Sequence, residues 1–429
     1  MEKRIRSVRP LFYLVLINLL GMALIMLEEK KLDRNTVMLC AILCVLSIIV
    51  YIIIGLAELG DGYLFVIISM LSSIGVIMQM RIDETNGMRQ MKLYLIGVLC
   101  FFAAVLVYRA FHKYWSRLTL VYFSVSAALF ALTALFGKVR FGSKNWIVIG
   151  GISVQPSEFI RILYVMSLAA VFTNCAKSAS EEASPDDEKR GRRIRLITAS
   201  AIAYINSGFL LLQREWGISV LFFIIFFSFL YIYGNSRLFL VFNALAAAAA
   251  GFVGVKYMSH IQVRVATWLD PFADFTDPFA KMSDEGYQLA QSLFAIGTGG
   301  FSGSGIGSGS PYLIPVVSSD FIFSAICEEM GVLGGIAVLM LYFVLVYRGF
   351  KIALSCTNAF NKAVSMGLSV MLGVQTFIIV GGVIRLIPLT GITLPFISYG
   401  GSSMVTTFAA LGILQAISGM KGEVTDEIE

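Results

Sequence analysis

Four stretches of this chain carry polar or charged side chains within largely apolar surroundings. Charges inside membrane-type runs are costly and are functional candidates by default. The first reads Gln155-Pro156-Ser157-Glu158-Phe159-Ile160-Arg161. Pro156 and Ser157 suit a helix start, and Glu158 and Arg161 are then i,i+3 neighbours on one face. Two readings are open: a local ion pair that neutralises both charges, or an Arg161 that faces a cavity and works with an acid elsewhere. The second is Ser318-Ser319-Asp320, followed by Phe321-Ile322-Phe323 and then by Glu328-Glu329. Ser-Ser-Asp before an apolar run is an N-cap pattern. A carboxylate there, at the end of a long loop, is also a candidate general base. Glu328 and Glu329 lie about two turns deeper, where adjacent acids need partners or protons.

The third stretch, Gly297 to Gly309, alternates glycine with serine and threonine. No strand-to-helix context supports a dinucleotide fingerprint, and no Gly-Lys-Ser/Thr follows for a phosphate loop. It reads as a linker or as backbone closely approaching a phosphate or sugar. The fourth runs from Pro388 to Ser403, where Pro388, Pro395, Gly391, Gly400 and Gly401 interrupt an apolar region. Broken helices in membranes persist where protein or a cavity satisfies the freed backbone, so close packing and a ligand cavity are the two readings.

The elements that must position these groups are membrane helices. Of 429 residues, 58% are hydrophobic and 14% charged, against about 25% charged in an ordinary soluble domain. The expected fold is all-α and polytopic, with twelve spans near 11–27, 36–57, 62–80, 93–108, 118–136, 156–174, 195–212, 217–233, 238–255, 321–347, 363–387 and 395–418. The apolar run from Leu11 to Leu27 is too long for a signal-peptide core and reads as the first span. With both termini cytoplasmic, 18 of the 33 Lys and Arg residues fall inside, 13 outside, and Arg161 and Arg385 within spans. The dense Lys189–Arg195 cluster then lies on the cytoplasmic side, as the positive-inside rule requires. The polar segment 175–194 reads as a flexible cytoplasmic loop. Segment 256–320 is an outside loop far longer than a connector needs, which points to function.

Other classes are excluded. A net charge of +6 spread over short loops does not suit nucleic acid. Two histidines, His112 and His260, cannot build a histidine-rich metal site. Six cysteines without CxxC spacing do not make a disulfide framework.

Taken together, several motifs resemble the shape, elongation, division and sporulation (SEDS) family of FtsW, RodA and SpoVE. They are Trp146 with Gln155-Pro156-Ser157-Glu158; Gly286-Tyr287-Gln288-Leu289 and Gln291-Ser292; Ala295-Ile296-Gly297 with Gly299-Gly300; Asp320-Phe321-Ile322-Phe323 with Glu328-Glu329-Met330-Gly331; and Pro388-Leu389-Thr390-Gly391 with Leu394 to Ser403. The resemblance covers roughly residues 61–418. It implies a ten-helix core over 61–419, preceded by an N-terminal extension of two transmembrane helices in 1–60 and followed by a cytoplasmic tail at 420–429. It also implies a peptidoglycan glycosyltransferase that polymerises lipid II outside the bacterial cytoplasmic membrane, for division, elongation or sporulation. The implied partner is a class B penicillin-binding protein, alongside other divisome or elongasome membrane proteins. No cofactor or metal is implied.

By motif match Asp320 is the essential acid and Arg161 the family's basic residue. Gln155, Ser157, Glu158, Lys144, Trp146, Glu328, Ser398 and Arg385 form the implied substrate-binding or supporting set. Asp320 would take the proton of an acceptor hydroxyl. Arg161 would tune it or neutralise the departing diphosphate. The chain departs from the family pattern at Val316 and Ser318, at Gln213-Arg214-Glu215, where the family carries Gln-Pro-Asp, at Ile379, and at Arg385, where it carries glycine. Arg385 is expected either to snorkel to headgroups or to face the cavity and bind a diphosphate or an acid such as Glu328. Two other functions remain in view: a lipid II flippase or other transporter, and a non-catalytic scaffold for a penicillin-binding protein.

Overall fold

A computed structural model describes residues 2–28, 34–140, 143–150, 152–174, 185–272 and 284–420. Lipid cannot hydrogen-bond a backbone, so apolar runs of this length close their own hydrogen bonds as helices. Among the described residues, 12 helices are long and apolar enough to cross a membrane. They are α1 (Glu2–Glu28), α2 (Arg34–Leu56), α3 (Gly62–Ile82), α4 (Glu84–Ala110), α5 (Thr119–Phe136), α6 (Pro156–Asn174), α7 (Pro185–Leu212), α8 (Trp216–Tyr233), α9 (Arg237–Tyr257), α12 (Ile322–Ser355), α13 (Ala359–Val383) and α14 (Gly401–Gly419). Two shorter helices, α10 (Ser259–Leu269) and α11 (Asp284–Gly299), occupy the long α9–α12 connection. The chain is thus a multi-pass membrane protein.

Helices α3, α6, α13 and α14 are mostly buried, whereas α9 turns nearly all its surface outward. The α1–α2 pair packs against α3. Helices α4 and α14 share an extensive interface. A Cβ at Gly97 would meet the Phe408 ring, and one at Gly412 would meet the Phe101 carbonyl. Small residues let membrane helices approach this closely.

Several boundaries differ from the hydropathy reading, each for a local reason. Helix α4 begins nine residues before the expected 93. Asp83 caps it by accepting from the Thr85 amide at 2.7 Å. Its first turns hold Glu84, Arg89 and Lys92, which conceal them from an apolar window. Helix α7 begins at Pro185, inside the segment read as a flexible loop. Asp186, Asp187 and Glu188 occupy its first turn, where the helix dipole favours acids. The rest of that segment, 175–184, lies outside the described residues. The last span begins at Gly401 rather than 395. Between α5 and α6 a small antiparallel sheet of β1 (Lys138–Arg140), β2 (Ser143–Ile149) and β3 (Ile152–Val154), in that order, is an unforeseen element.

The glycine-serine tract has a structural explanation. Helix α12 is broken at Gly331, whose φ of 70° and ψ of −179° are non-helical. The break frees backbone groups inside an apolar region, and the tract satisfies them. Val332 N donates to Gly300 O at 3.0 Å, while Ser304 N and Gly305 N donate to the Glu328 and Glu329 carbonyls, each at 3.0 Å. A Cβ at Gly331 would collide with Phe301 O.

Candidate active site

Asp320 lies between a turn at Val316–Ser319 and the start of α12. It does not cap the helix: the cap is Phe321, which makes no side-chain cap hydrogen bond. The backbone beside Asp320 is held from two sides. Ser318 O accepts from Tyr399 N at 2.8 Å and from Gln79 Nε2 at 2.7 Å. Ser319 O accepts from Ser398 Oγ at 2.6 Å, and that hydroxyl accepts from Leu394 N at 2.9 Å. Ser398 therefore joins the broken Leu394–Tyr399 segment to the acid's neighbour.

Asp320 opens onto a cavity of about 1220 Å³. Pockets for small ligands run to about 300–1,000 Å³, so this one suits something larger. Its wall is charged: Glu158, Glu215 and Asp320 share it with Arg89, Lys92, Arg214 and Arg264. The lining comes from the α3–α4, α5–α6, α7–α8, α9–α12 and α13–α14 junctions, which successive spans place at one end of the bundle. The Lys189–Arg195 cluster, early in α7, belongs to the other end.

Arg264, on α10, is the cation that acts on Asp320. Its Nη1 donates to Leu389 O at 2.9 Å, and the guanidinium lies over the Trp216 ring, 5.9 Å from its centroid. Gly391, at φ +70°, sits between the two: a Cβ there would lie 3.4 Å from Arg264 Nη1 and 3.7 Å from Asp320 Oδ2. Burial raises the Asp320 carboxyl above its ordinary value, while the Ser319 hydroxyl and Arg264 oppose that shift. A carboxylate so placed is a stronger base than a solvated one.

A second carboxylate organises the cavity floor. Glu215 Oε1 accepts from Asn145 Nδ2, from Gln155 Nε2 at 2.7 Å and from Ser157 Oγ at 3.0 Å. Burial raises its carboxyl, against these three bonds and the charge of Arg161. Arg161 is 2% exposed and does not line the cavity. It pairs with Glu158 and donates to Gln375 Oε1 at 2.7 Å. Gln375 Nε2 then donates to Thr393 O at 2.8 Å. The local ion pair is therefore the arrangement found, and the reading in which Arg161 faces the cavity is corrected: Glu158 lines the cavity, and Arg161 supports it from beneath.

The structure brings Asp320, Glu158, Gln155 and Trp146 to one cavity, with Ser157, Arg161 and Ser398 immediately behind its wall. Lys144 is a residue of β2, and its side chain lies outside the described residues. Two members of the set stand apart. Glu328 accepts from Ser310 N at 2.8 Å and anchors the glycine-serine tract. It does not line the cavity. The tract is also tied by Arg81, which lies 3.1 Å from Glu329 and donates to Gly309 O at 3.2 Å. Arg385 reaches neither the cavity nor Glu328. Its Nε donates to Trp268 O at 2.9 Å and its Nη2 to Leu269 O at 2.6 Å. Asp277-Pro278, in the same long loop, lies outside the described residues.

The sequence reading missed Glu215, Arg264, Arg89 and Lys92 as site residues. Asn86, Arg89 and Lys92 carry a usable signal, since spacing of three puts them on one helix face. Glu215 stood out only as a departure from a pattern. Arg264 has no local signal at all. Among the described residues, no group of three or more His, Cys, Asp or Glu is placed to hold a metal ion.

The family model of FtsW, RodA and SpoVE cell cycle proteins matches residues 51–422. The chain is 34% identical over 382 residues to the peptidoglycan glycosyltransferase RodA of Mycobacterium tuberculosis, spanning 84% of this chain and 78% of that one. It is 33% identical over 335 residues to the stage V sporulation protein E of Bacillus subtilis, spanning 77% and 86%. Its fold is similar to a chain of a solved peptidoglycan synthase complex, at TM-score 0.69 and 24% identity over 85% of this chain and 99% of that one. The rod shape determining protein RodA of Thermus thermophilus matches at TM-score 0.58 and 22% identity, over 85% and 98%.

Proposed function

Because the chain belongs to the FtsW, RodA and SpoVE family of cell cycle proteins, we propose that it is a peptidoglycan glycosyltransferase polymerising lipid II at the outer face of the bacterial cytoplasmic membrane. The observation that carries the reading is a half-buried, desolvated carboxylate, Asp320, beside Arg264 in the wall of a large charged cavity at one end of the bundle. Positive-inside orientation supports the outer placement, since the Lys189–Arg195 cluster belongs to the other end. Both termini are then cytoplasmic. The ten membrane-spanning helices from α3 onward form the catalytic core, with α1–α2 as an added pair.

In this mechanism Asp320 accepts the proton of the acceptor sugar's 4-hydroxyl. That oxygen attacks the anomeric carbon of the donor, the new glycosidic bond forms, and the bond to the lipid diphosphate breaks. The developing negative charge on the diphosphate meets the cavity cations Arg89, Lys92, Arg214 and Arg264. Glu158, steadied by Arg161, and Glu215, held by Asn145, Gln155 and Ser157, orient the sugars by accepting from their hydroxyls. A class B penicillin-binding protein is the partner expected to crosslink the product, as the resemblance to a chain of a peptidoglycan synthase complex supports.

The test is polymerisation of lipid II by the purified full chain, with and without such a partner. Glycan strands that vanish in Asp320→Asn are the expected result. Movement of lipid II across the bilayer without polymer would replace this reading with a transporter. Neither activity would leave a scaffold.

A further inference from the structure

Arg385 is an oddity that the mechanism does not use. It lies just past α13, exposed, with a φ of +61°. That left-handed conformation strains any residue with a Cβ and suits glycine. An arginine is held there by its own side chain. Nε and Nη2 donate to the Trp268 and Leu269 carbonyls at 2.9 and 2.6 Å. The Trp268 indole Nε1 donates back to Arg385 O at 3.1 Å. The last carbonyls of a helix have no intrahelical partner, and a cation there also opposes the helix dipole. These three bonds tie the end of α10 to the turn that follows α13.

The same two segments meet again at the acid. One turn before Trp268, Arg264 donates to Leu389 O, and Gly391 separates its guanidinium from Asp320. Helix α10 is short, and only Ile261 among its side chains is buried. Its own packing does little to hold it in place. We propose that Arg385 is a positioning residue, a latch that fixes the C-terminal turn of α10 so that Arg264 stays beside Asp320. The role in turnover rests on the glycosyltransferase reading; the latch itself does not.

The experiment uses the full-length protein in lipid nanodiscs, comparing wild type with Arg385→Gly, Arg385→Lys, Arg264→Gln and the double variant Arg385→Gly with Arg264→Gln. Hydrogen exchange reads the latch, and lipid II polymerisation reads its consequence. Arg385→Gly is expected to speed exchange of the amides at 266–270 without lowering the melting temperature, because glycine relieves the backbone strain as the bonds are lost. Its kcat should fall about 10- to 100-fold, the range that slight misplacement of a catalytic group costs. KM should change little, because Arg385 does not line the cavity. Arg385→Lys, which keeps one charged donor, should recover part of the rate. The double variant should be no slower than Arg264→Gln alone.

Unchanged exchange in α10 overturns the latch, even if the wild-type protein makes no polymer. A wild type without polymerising activity overturns the glycosyltransferase reading on its own, so the two failures are separate. A rate loss in Arg385→Gly that multiplies fully with that of Arg264→Gln would overturn the route through Arg264. A rise in KM at unchanged kcat would do the same, in favour of direct contact with substrate.

Discussion

At the scale of single residues, Asp320 combines high basicity with an unfavourable environment. Replacing it with Asn is expected to cost about 10²–10⁴ in polymerisation rate, the usual worth of a general base. The melting temperature should hold or rise, because a desolvated charge is removed. The pH dependence follows from the same burial. With its carboxyl raised, Asp320 should impose an acid limb on kcat/KM above about pH 4, the range of a solvated aspartate. Arg264→Gln removes a charge that opposes this rise, so the limb should move to higher pH. Glu158, Glu215, Arg89, Lys92 and Arg214 share the cavity and are unchanged in that comparison. For stability the sign is that of a raised carboxyl: its contribution is present at low pH and is lost as pH rises through the folded-state value. Arg161 behaves differently, because it is buried and bonded to both Glu158 and Gln375. Arg161→Ala should lower stability by about 3–5 kcal/mol by stranding a buried carboxylate, with activity falling in parallel. Arg161→Lys should retain part of both, since it keeps the charge and loses the fork.

At the scale of elements, the broken parts of the chain are the informative ones. The α12 break at Gly331 and the interrupted Leu394–Tyr399 segment leave backbone groups that no regular helix ladder satisfies. The glycine-serine tract serves the first, and Ser318 and Ser398 serve the second. Glu328 belongs to this arrangement through Ser310 N. Glu328→Gln is therefore expected to lower the melting temperature in a thermal unfolding assay while leaving the KM for lipid II within about twofold. Losing a charge-assisted bond costs about 1.5–3 kcal/mol. A KM rise at unchanged melting temperature would return Glu328 to substrate binding.

For the whole molecule the question is which way it faces. The cavity and the Lys189–Arg195 cluster belong to opposite ends of the bundle, so one labelling experiment settles both. Tyr312 is 72% exposed in the connection that leads to Asp320. A Tyr312→Cys protein in intact cells is expected to react with a membrane-impermeant maleimide. Reaction only after the cells are opened would place the cavity in the cytoplasm and remove lipid II polymerisation outside the membrane as its function.

The spans were legible because hydrocarbon imposes one rule on every residue that enters it, and twelve apolar runs obey that rule locally. Glu158 and Asp320 were legible as candidates, the first as a charge inside an apolar run and the second by motif match, and the structure brings both to one cavity. Helix ends facing the cavity were not legible, since Arg89 and Lys92 look like loop residues to a hydropathy window. Tertiary structure alone decided the rest. It placed Arg264 beside Asp320 across 55 intervening positions, made Glu215 the hub of the floor, and turned Glu328 and Arg385 away from the cavity. Burial and ion pairing depend on which distant segments meet, and a single chain read in order does not contain those distances.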